Sequence, residues 1–371
     1  MTVAVRSIAR SRVGCDTQRQ MSLRAPTRAA PPPRAAPGGA LVRVEGVQLG
    51  YWVRGRFETA VARASFEIAP REKMMLIGPS GCGKSTLLKA IAGFIAPARG
   101  SIEVAGRPTL GPGPDRAVVF QELDQLFPWR TVLDNVAYPL RVNGRDARTA
   151  VARAREYLAL TKLSKAADRY PHQLSGGMRQ RVMIAMALAL EPQIVIMDEP
   201  TTALDVVTQR EILEELMELR ERLGFAVLFI THDLSLLVEI ADSIAVMYAG
   251  RLVEQATAEA LYQAPRHPYT LGLLHSFPAL HGPRKQMTGI PGSPPDLRAL
   301  PDGCVFHPRC PYVMDRCVTQ SPPLLVGAGR RVAACWLHDG TGPVPAELAK
   351  AEPGGSQAGA PAAAGAGRKQ S

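Results

Sequence analysis

The sequence lacks any long uninterrupted apolar run. A membrane-spanning helix needs about 18 to 20 such residues in succession. The most apolar stretch, 182–190, is much shorter and begins directly after Arg181. The composition therefore excludes an integral membrane protein, and any role at a membrane would be peripheral.

The chain also lacks an internal repeat, so a tandem pair of similar domains is not expected. Its 371 residues, 46% hydrophobic and 21% charged, exclude a fully disordered chain and leave room for one large domain with an appendix, or two modest domains. Short apolar runs bounded by turns predict buried strands at 74–77, 118–120, 194–197, 227–230 and 244–247. Helical patterns at 85–91 and 206–223 lie between some of them, which predicts a mainly parallel α/β sheet.

Acidic residues are almost missing from the first 40 residues. This segment holds seven arginines and one aspartate, and so accounts for six of the eleven net positive charges. The net positive charge of the remaining residues is ordinary for their number, so neither a folded basic face nor a nucleic-acid partner is predicted. Proline and glycine runs predict a disordered leader over 1–40, interpreted as a non-functional extension rather than a transit peptide, and a second disordered tail over 341–371.

The clearest local motif follows the predicted strand 74–77. Residues 78–85 read GPSGCGKS and fit G-x-x-x-x-G-K-[ST] at the start of a helix. Such a loop binds phosphate through backbone N–H groups, a lysine and a Mg²⁺-binding hydroxyl, whereas the alternative is an ordinary glycine-rich turn. Cys82 is interpreted as a small filler of the loop. The residues assigned to nucleotide binding here are Gly78, Pro79, Ser80, Gly81, Cys82, Gly83, Lys84, Ser85 and Thr86.

An acidic pair, Asp198 and Glu199, ends the predicted strand 194–197. A carboxylate at this end of a strand, beside a phosphate loop, is placed to serve Mg²⁺, and the next one can accept a proton from an attacking water. The alternative is a solvated strand end, which the following PTTALD sequence argues against. We therefore expect Asp198 to assist Mg²⁺ and Glu199 to act as general base.

Residues 174–181, LSGGMRQR, resemble the signature sequence of ATP-binding-cassette (ABC) ATPases. The other motifs of that family occur in order over about 41–255. Tyr51 resembles the adenine-stacking aromatic, Gln121 the Q-loop, residues 203–205 with Asp205 the D-loop, and His232 the switch histidine.

This resemblance implies a P-loop NTPase cassette. Its fold would comprise a RecA-like parallel core, an antiparallel β subdomain and a helical subdomain at about 122–180. ATP and Mg²⁺ would be the cofactors, with Ser85, Gln121 and Asp198 serving the metal, and Glu199, His232 and Gln121 as catalytic residues. Ser175, Gly176 and Gly177 would reach the γ-phosphate of a second cassette, so a head-to-tail homo- or heterodimer is implied.

Four of the six cysteines lie in a C-terminal extension, 256–340, with the spacing C-x5-C-x6-C-x17-C. The extension resembles that of dipeptide/oligopeptide permease ATPases, which implies a [4Fe–4S] cluster; Zn²⁺ is the alternative, and free structural cysteines also remain open. The absence of a C-x2-C pair weakens a zinc knuckle. The candidate ligands are Cys304, Cys310, Cys317 and Cys335, with His307 and His338 ranked below them.

The segment 120–135 points to another substrate, because it resembles ATPases of nitrate, sulfonate or taurine importers. Within it, Phe127-Pro128-Trp129 could receive a permease helix or could serve local packing. We favour the peptide-type system because its extension is longer and rarer.

The sequence thus predicts the ATPase subunit of a di-/oligopeptide ABC importer, peripheral on the cytoplasmic face of the inner membrane. Its implied partners are a second ATPase subunit, integral-membrane permease subunits and, indirectly, an extracytoplasmic solute-binding protein. The alternatives are a nitrate/sulfonate/taurine importer, an exporter ATPase, and a non-transport ABC ATPase of DNA repair or translation.

Overall fold

The structure is a computed structural model that describes residues 39–121, 125–200, 204–230, 240–276, 289–327 and 330–349. The predicted leader lies outside these residues except for its last two positions, and so does most of the predicted tail.

The core of the protein is a parallel sheet, in which β3, β8, β7 and β6 are neighbours in that order and β9 pairs parallel with the other side of β3. Strand β3 shows why these apolar runs form buried strands. Met74 and Leu76 pack into one hydrophobic cluster, whereas Met75 and Ile77 pack into the cluster on the opposite face. Both faces are therefore covered, as parallel sheets require.

An antiparallel region completes the sheet. The order β5-β4-β1-β2 leads to β10, which pairs antiparallel with β9 and contacts β2 at one parallel position. The strands are β1 (Val42–Val53), β2 (Arg56–Ile68), β3 (Lys73–Ile77), β4 (Arg99–Val104), β5 (Arg107–Pro108), β6 (Arg116–Val119), β7 (Ile194–Asp198), β8 (Ala226–Ile230), β9 (Ser243–Tyr248), β10 (Arg251–Thr257), β11 (Leu325–Val326) and β12 (Val332–Ala333).

The five predicted strands are all present. Strands β3, β7, β8 and β9 extend one residue beyond the prediction at one or both ends, whereas β6 is shifted towards the N-terminus. Strand β6 ends at Val119 rather than at Phe120. The reason is local, because the Phe120 N–H donates to Gln125 Oε1 (3.0 Å) instead of to a neighbouring strand.

The described helices are α1 (Lys84–Ile91), α2 (Val132–Val142), α3 (Ala147–Leu160), α4 (Gly176–Leu188), α5 (Val206–Leu223), α6 (Ala258–Gln263), α7 (Pro268–His275) and α8 (Asp315–Thr319). Helices α2, α3 and α4 pack on one another and form the helical region. Asp146 caps α3 by accepting the Thr149 N–H (2.9 Å), and the helix ends at Leu160. Among the described residues, no helix is both long and apolar enough to cross a bilayer.

The C-terminal extension is joined to the sheet. Strand β10 runs across the predicted boundary between 255 and 256, and β12 pairs with it antiparallel, Glu254 opposite Ala333 and Gln255 opposite Val332. The packed chain also continues beyond the predicted boundary at 340, because Leu348 is buried beside Leu271 and Leu337.

A buried carboxylate anchors this extension. Glu254 is fully buried on β10 and accepts the backbone N–H groups of Arg266 (2.7 Å) and His267 (2.8 Å). Arg331, only 3% exposed, donates to the same carboxylate (3.3 Å) and to the Ala264 carbonyl. Burial raises the pKa of Glu254, while the two N–H groups and Arg331 oppose that shift. One side chain thus ties together the sheet, the turn before α7 and the extension.

His267 is locked in its neutral form by the same packing. Its Nδ1 accepts the Tyr269 N–H (3.1 Å), which caps α7, and burial lowers the pKa of His267 to about 3.

Candidate functional site

The candidate site lies at the carboxyl ends of four neighbouring parallel strands. Strand β3 leads into the phosphate loop, β7 ends at Asp198 and β6 leads to Gln121. Strand β8, between β3 and β7, ends at Ile230 and leads towards His232. Ligands of α/β sheets bind at this end of the strands.

The phosphate loop can be formed only with glycine at its ends. Gly78 has φ of 156° and Gly83 has φ of 101°, values that other residues rarely adopt. A Cβ atom on Gly78 would lie 2.3 Å from the Met247 carbonyl oxygen, and one on Gly83 would lie 2.7 Å from that of Ala60. The loop is therefore packed tightly against β2 and the end of β9.

Lys84 is buried and holds the loop closed on itself. Its Nζ donates to the carbonyls of Gly78 (2.8 Å) and Pro79 (3.0 Å), so the ammonium points across the inside of the loop. Cys82 is 3% exposed, and burial raises the pKa of its thiol, which fits its interpretation as a filler.

Ser85 and Asp198 are brought together from 113 positions apart in the sequence. Ser85 Oγ donates to Asp198 Oδ1 over 3.3 Å. Burial raises the pKa of Asp198; the bond from Ser85 opposes that shift and the charge of Glu199 adds to it. A hydroxyl and a carboxylate at this point can supply hard oxygen ligands to Mg²⁺.

Glu199 follows Asp198 with a left-handed backbone, φ 46°, which is uncommon for a residue other than glycine. Its N–H donates to the Ile230 carbonyl at the end of β8 (2.9 Å), and the residue is partly exposed.

Gln121 and Tyr51 lie on the rim of the site. Gln121 is exposed just beyond β6, and Gln125 holds the end of that strand by donating to the Val118 carbonyl (3.2 Å). Tyr51, on β1, is 43% exposed, and its hydroxyl lies 3.2 Å from Thr86 Oγ1 at the start of α1. Its ring remains available for stacking.

The signature residues form the start of α4. Ser175 is its N-cap and accepts the Met178 N–H (3.3 Å), with Gly176 and Gly177 in the first turn. A Cβ atom on Gly177 would lie 2.7 Å from Thr208 Cγ2, so glycine permits the start of α5 to pack here.

Asp205 caps α5 beside this glycine pair. It accepts the Thr208 N–H (3.0 Å) and hydroxyl (2.8 Å), and these bonds lower the pKa of Asp205. The N-terminus of α5 thus lies against that of α4, and the Asp205 carboxylate offsets the partial positive charge at the start of α5. His232 and Ala203 lie outside the described residues.

The two aromatic residues of the motif 127–129 have different surroundings. Phe127 packs edge-on against Tyr138, with ring centroids 4.7 Å apart, and its N–H donates to the buried Asn135 (2.8 Å). Trp129, in contrast, is 71% exposed. Local packing accounts for Phe127 and leaves Trp129 as a surface aromatic.

The four C-terminal cysteines line one pocket together with His267, Phe306 and Trp336. Burial raises the pKa of the Cys310 thiol to about 11 and that of Cys335 to about 12, and neighbouring cysteines add to both shifts. Within the described part of the chain, no three His, Cys, Asp or Glu side chains are arranged to hold a single metal ion. The four thiols thus line one pocket, but the described residues do not form a preformed metal site.

Each of the two candidate histidines contacts a backbone carbonyl through one ring nitrogen. His338 Nε2 contacts the Arg266 carbonyl (2.7 Å), and His307 Nδ1 contacts the Cys304 carbonyl (3.0 Å).

Sequence reasoning did not predict the support beneath the phosphate loop. The turn after β9 provides it, since the Gly250 N–H donates to the Cys82 carbonyl (3.1 Å) and the Gly250 carbonyl accepts the Ala62 N–H (2.7 Å). A glycine after a buried strand signals a turn but does not show what the turn touches.

Two families of known proteins match parts of this chain. Residues 61–202 match the ABC transporter family, and residues 253–317 match the family described as the oligopeptide/dipeptide transporter, C-terminal region.

Curated relatives span both regions. The oligopeptide transport ATP-binding protein OppD of Mycobacterium tuberculosis is 41% identical over 314 residues, covering 80% of this chain and 51% of that protein. The chain thus spans about half the length of this relative. The oligopeptide transport ATP-binding protein AppD of Bacillus subtilis is 37% identical, covering 76% of this chain and 92% of its own. The dipeptide transport ATP-binding protein DppD of the same species is 36% identical, covering 81% and 95%.

Solved structures share the cassette. The cbiO1 protein from Clostridium perfringens, described as part of an ABC transporter complex, has a TM-score of 0.55 and 28% identity over 60% of this chain and 90% of its own. The ATP-binding cassette MJ0796, described as a dimer bound to ADP and Pi after hydrolysis, has a TM-score of 0.53 and 31% identity over 58% and 98%. The predicted P-loop NTPase cassette fold is confirmed, and the chain belongs to the ABC transporter ATP-binding proteins that carry the oligopeptide/dipeptide transporter C-terminal region.

Proposed function

We propose that this chain binds and hydrolyses MgATP to energise an importer of di- or oligopeptides. The observation that carries the ATPase proposal is the contact between Ser85 and Asp198, since it joins the phosphate loop to the acidic strand end where Mg²⁺ would be held. The family membership and the names of the relatives support the peptide substrate.

Each residue of the nucleotide site has a proposed role that follows from its position. Lys84 and the loop N–H groups would bind the β- and γ-phosphates, and Tyr51 would stack on adenine. Ser85, Asp198 and Gln121 would hold Mg²⁺, which screens the phosphate charge. Glu199 would accept the proton of the attacking water, and His232 would contact the γ-phosphate.

A second cassette would complete each site. Ser175, Gly176 and Gly177 would contact the γ-phosphate bound by the partner, in a head-to-tail arrangement of two copies or of this chain with a related subunit. We propose that the segment 41–255 acts as the cassette and 256–340 as the extension, and that the exposed Trp129 contacts a permease subunit. The assembled protein would then lie peripherally on the cytoplasmic face of the membrane, with the solute-binding protein on the other side.

The substrate proposal is tested by uptake in cells that lack this chain. We expect uptake of a labelled tripeptide to be lost and that of labelled taurine and nitrate to continue. Reintroduction of the wild-type chain should restore peptide uptake, whereas Lys84→Ala should not, because the ammonium that meets the phosphates is gone. Loss of taurine or nitrate uptake with normal peptide uptake would instead favour the alternative importer class.

We further propose that Cys304, Cys310, Cys317 and Cys335 hold a [4Fe–4S] cluster. Four cysteine thiolates are the usual protein ligands of such a cluster. The presence of all four cysteines in the lining of one pocket supports this proposal. When bound, the cluster would cross-link four points of the extension.

Anaerobic purification with metal analysis tests the cluster. We expect broad visible absorption and about four irons with matching sulfide per chain. Cys310→Ser should lose most of the iron, whereas Cys82→Ser, which removes a buried thiol from the phosphate loop, should retain it. Stoichiometric zinc would establish the alternative metal, and a metal-free chain would leave the thiols as packing residues only.

A further inference from the structure

Arg309, between two of the pocket cysteines, has partners on two different parts of the molecule. Its guanidinium donates to three successive backbone carbonyls of the extension, those of Ile290 (3.1 Å), Pro291 (2.7 Å) and Gly292 (2.9 Å). It also donates to the Tyr248 hydroxyl on the cassette (3.1 Å). The planar fork of arginine is what permits four such bonds in fixed directions.

Tyr248 continues this connection to the phosphate loop. It is fully buried at the end of β9. The residue before it, Met247, places its carbonyl where a Cβ atom on Gly78 would collide, and Gly250, two residues later, donates to the Cys82 carbonyl (3.1 Å). The backbone on both sides of Tyr248 thus contacts the loop directly.

The side-chain environment of Tyr248 leaves it little freedom to move alone. Its ring lies 4.7 Å from that of Tyr269 and 5.3 Å from that of Phe306, measured between centroids. Phe306 belongs to the extension, and Tyr269 to α7. A close-packed cluster of this kind transmits a displacement of one member to the others.

We propose that Arg309 is a positioning residue for nucleotide binding, which sets the phosphate loop through Tyr248 without touching the nucleotide. The proposal rests on the phosphate loop being the nucleotide site. Without Arg309, the buried Tyr248 hydroxyl loses its hydrogen-bond donor. The backbone carbonyls of residues 290–292 lose the guanidinium that donates to all three. The turn 247–250 then no longer holds Gly78 and Cys82 in the conformation that directs N–H groups at phosphate.

The test compares conservative variants of the full chain by calorimetric titration with ADP. Arg309→Lys keeps the positive charge but removes the planar set of guanidinium N–H donors. Tyr248→Phe keeps the aromatic ring but removes the hydroxyl. We expect each to raise the Kd for ADP about threefold to tenfold, and the double variant to raise it no more than the larger single change, because both act on one connection.

Arg316→Lys is the matched control. Arg316 also lies between two pocket cysteines and stacks on an aromatic ring, with its guanidinium carbon 3.7 Å from the centroid of Trp336. Its other partners are Asp339, which belongs to the extension like Trp336, and Thr341, which directly follows the extension. We therefore expect Arg316→Lys to leave the Kd for ADP unchanged, even where it lowers the thermal midpoint of unfolding.

Three outcomes would overturn the proposal: unchanged affinity in Arg309→Lys, an equal loss in Arg316→Lys, or effects of Arg309→Lys and Tyr248→Phe that multiply as independent changes. Absence of ADP binding by the wild-type chain would instead contradict the proposed ATPase function.

Discussion

Replacing Glu199 by glutamine should lower the rate of ATP hydrolysis about 10²- to 10⁴-fold, which is the usual contribution of a general base. The Kd for ATP should stay close to that of the wild type. Glutamine has nearly the same shape and leaves Lys84, Ser85 and Asp198 in place, so phosphate and metal contacts persist while proton acceptance is lost. The variant should consequently accumulate a MgATP-bound dimer, visible as an earlier elution in size-exclusion chromatography.

The control for this change is Glu218→Gln. Glu218 is exposed on α5, so the substitution removes the same charge at a distance from the site. It should hydrolyse ATP at the wild-type rate and elute as the wild type does. A normal rate of ATP hydrolysis in Glu199→Gln would show that Glu199 is not the general base.

Replacing Glu254 by alanine should cost about 3–5 kcal/mol of unfolding free energy, the usual effect of removing one partner from a buried ion pair. The expected loss is large because several buried polar groups would lose their hydrogen-bond partner. Arg331 would keep a buried charge without its carboxylate, and the N–H groups of Arg266 and His267 would lose their acceptor. Chemical denaturation followed by circular dichroism measures the loss.

Two comparisons make this result specific. Glu254→Gln keeps an acceptor oxygen for the N–H groups, so its loss should be smaller than that of alanine. Glu259→Ala removes an exposed carboxylate from α6 and should change stability by no more than about 0.5 kcal/mol. A loss below about 1 kcal/mol in Glu254→Ala would show that Glu254 is not the anchor of the extension.

The parts of the fold that could be predicted are those governed by local rules. The strand 74–77, the loop 78–85 and the helix after it are visible in the sequence because apolar runs, glycine and a helix start follow one another within a few residues. The acidic pair at 198–199 could be placed for a similar reason, as it directly ends a strand. Asp205 and Ser175 were found through motifs, and both prove to be helix N-caps.

The parts that could not be predicted depend on contacts between distant segments. Glu254 reads as one more polar residue near the end of a strand, since nothing nearby in the sequence indicates its pairing with Arg331, 77 positions away. Arg309 is similar: its partners lie at 248 and at 290–292. The burial of Leu348 could not be predicted either, because this residue lies in a glycine- and proline-rich stretch that carries no periodicity.

The pairing of β12 with β10 has a consequence for how this protein could be shortened. Val253, Glu254 and Gln255 use backbone groups to bind the segment 332–334. A chain cut before residue 330 would keep its phosphate loop but would leave this stretch of β10 as an open strand edge. Open edges recruit strands from other molecules. We therefore expect a chain cut before residue 330 to aggregate more readily, and to be less soluble, than the whole chain.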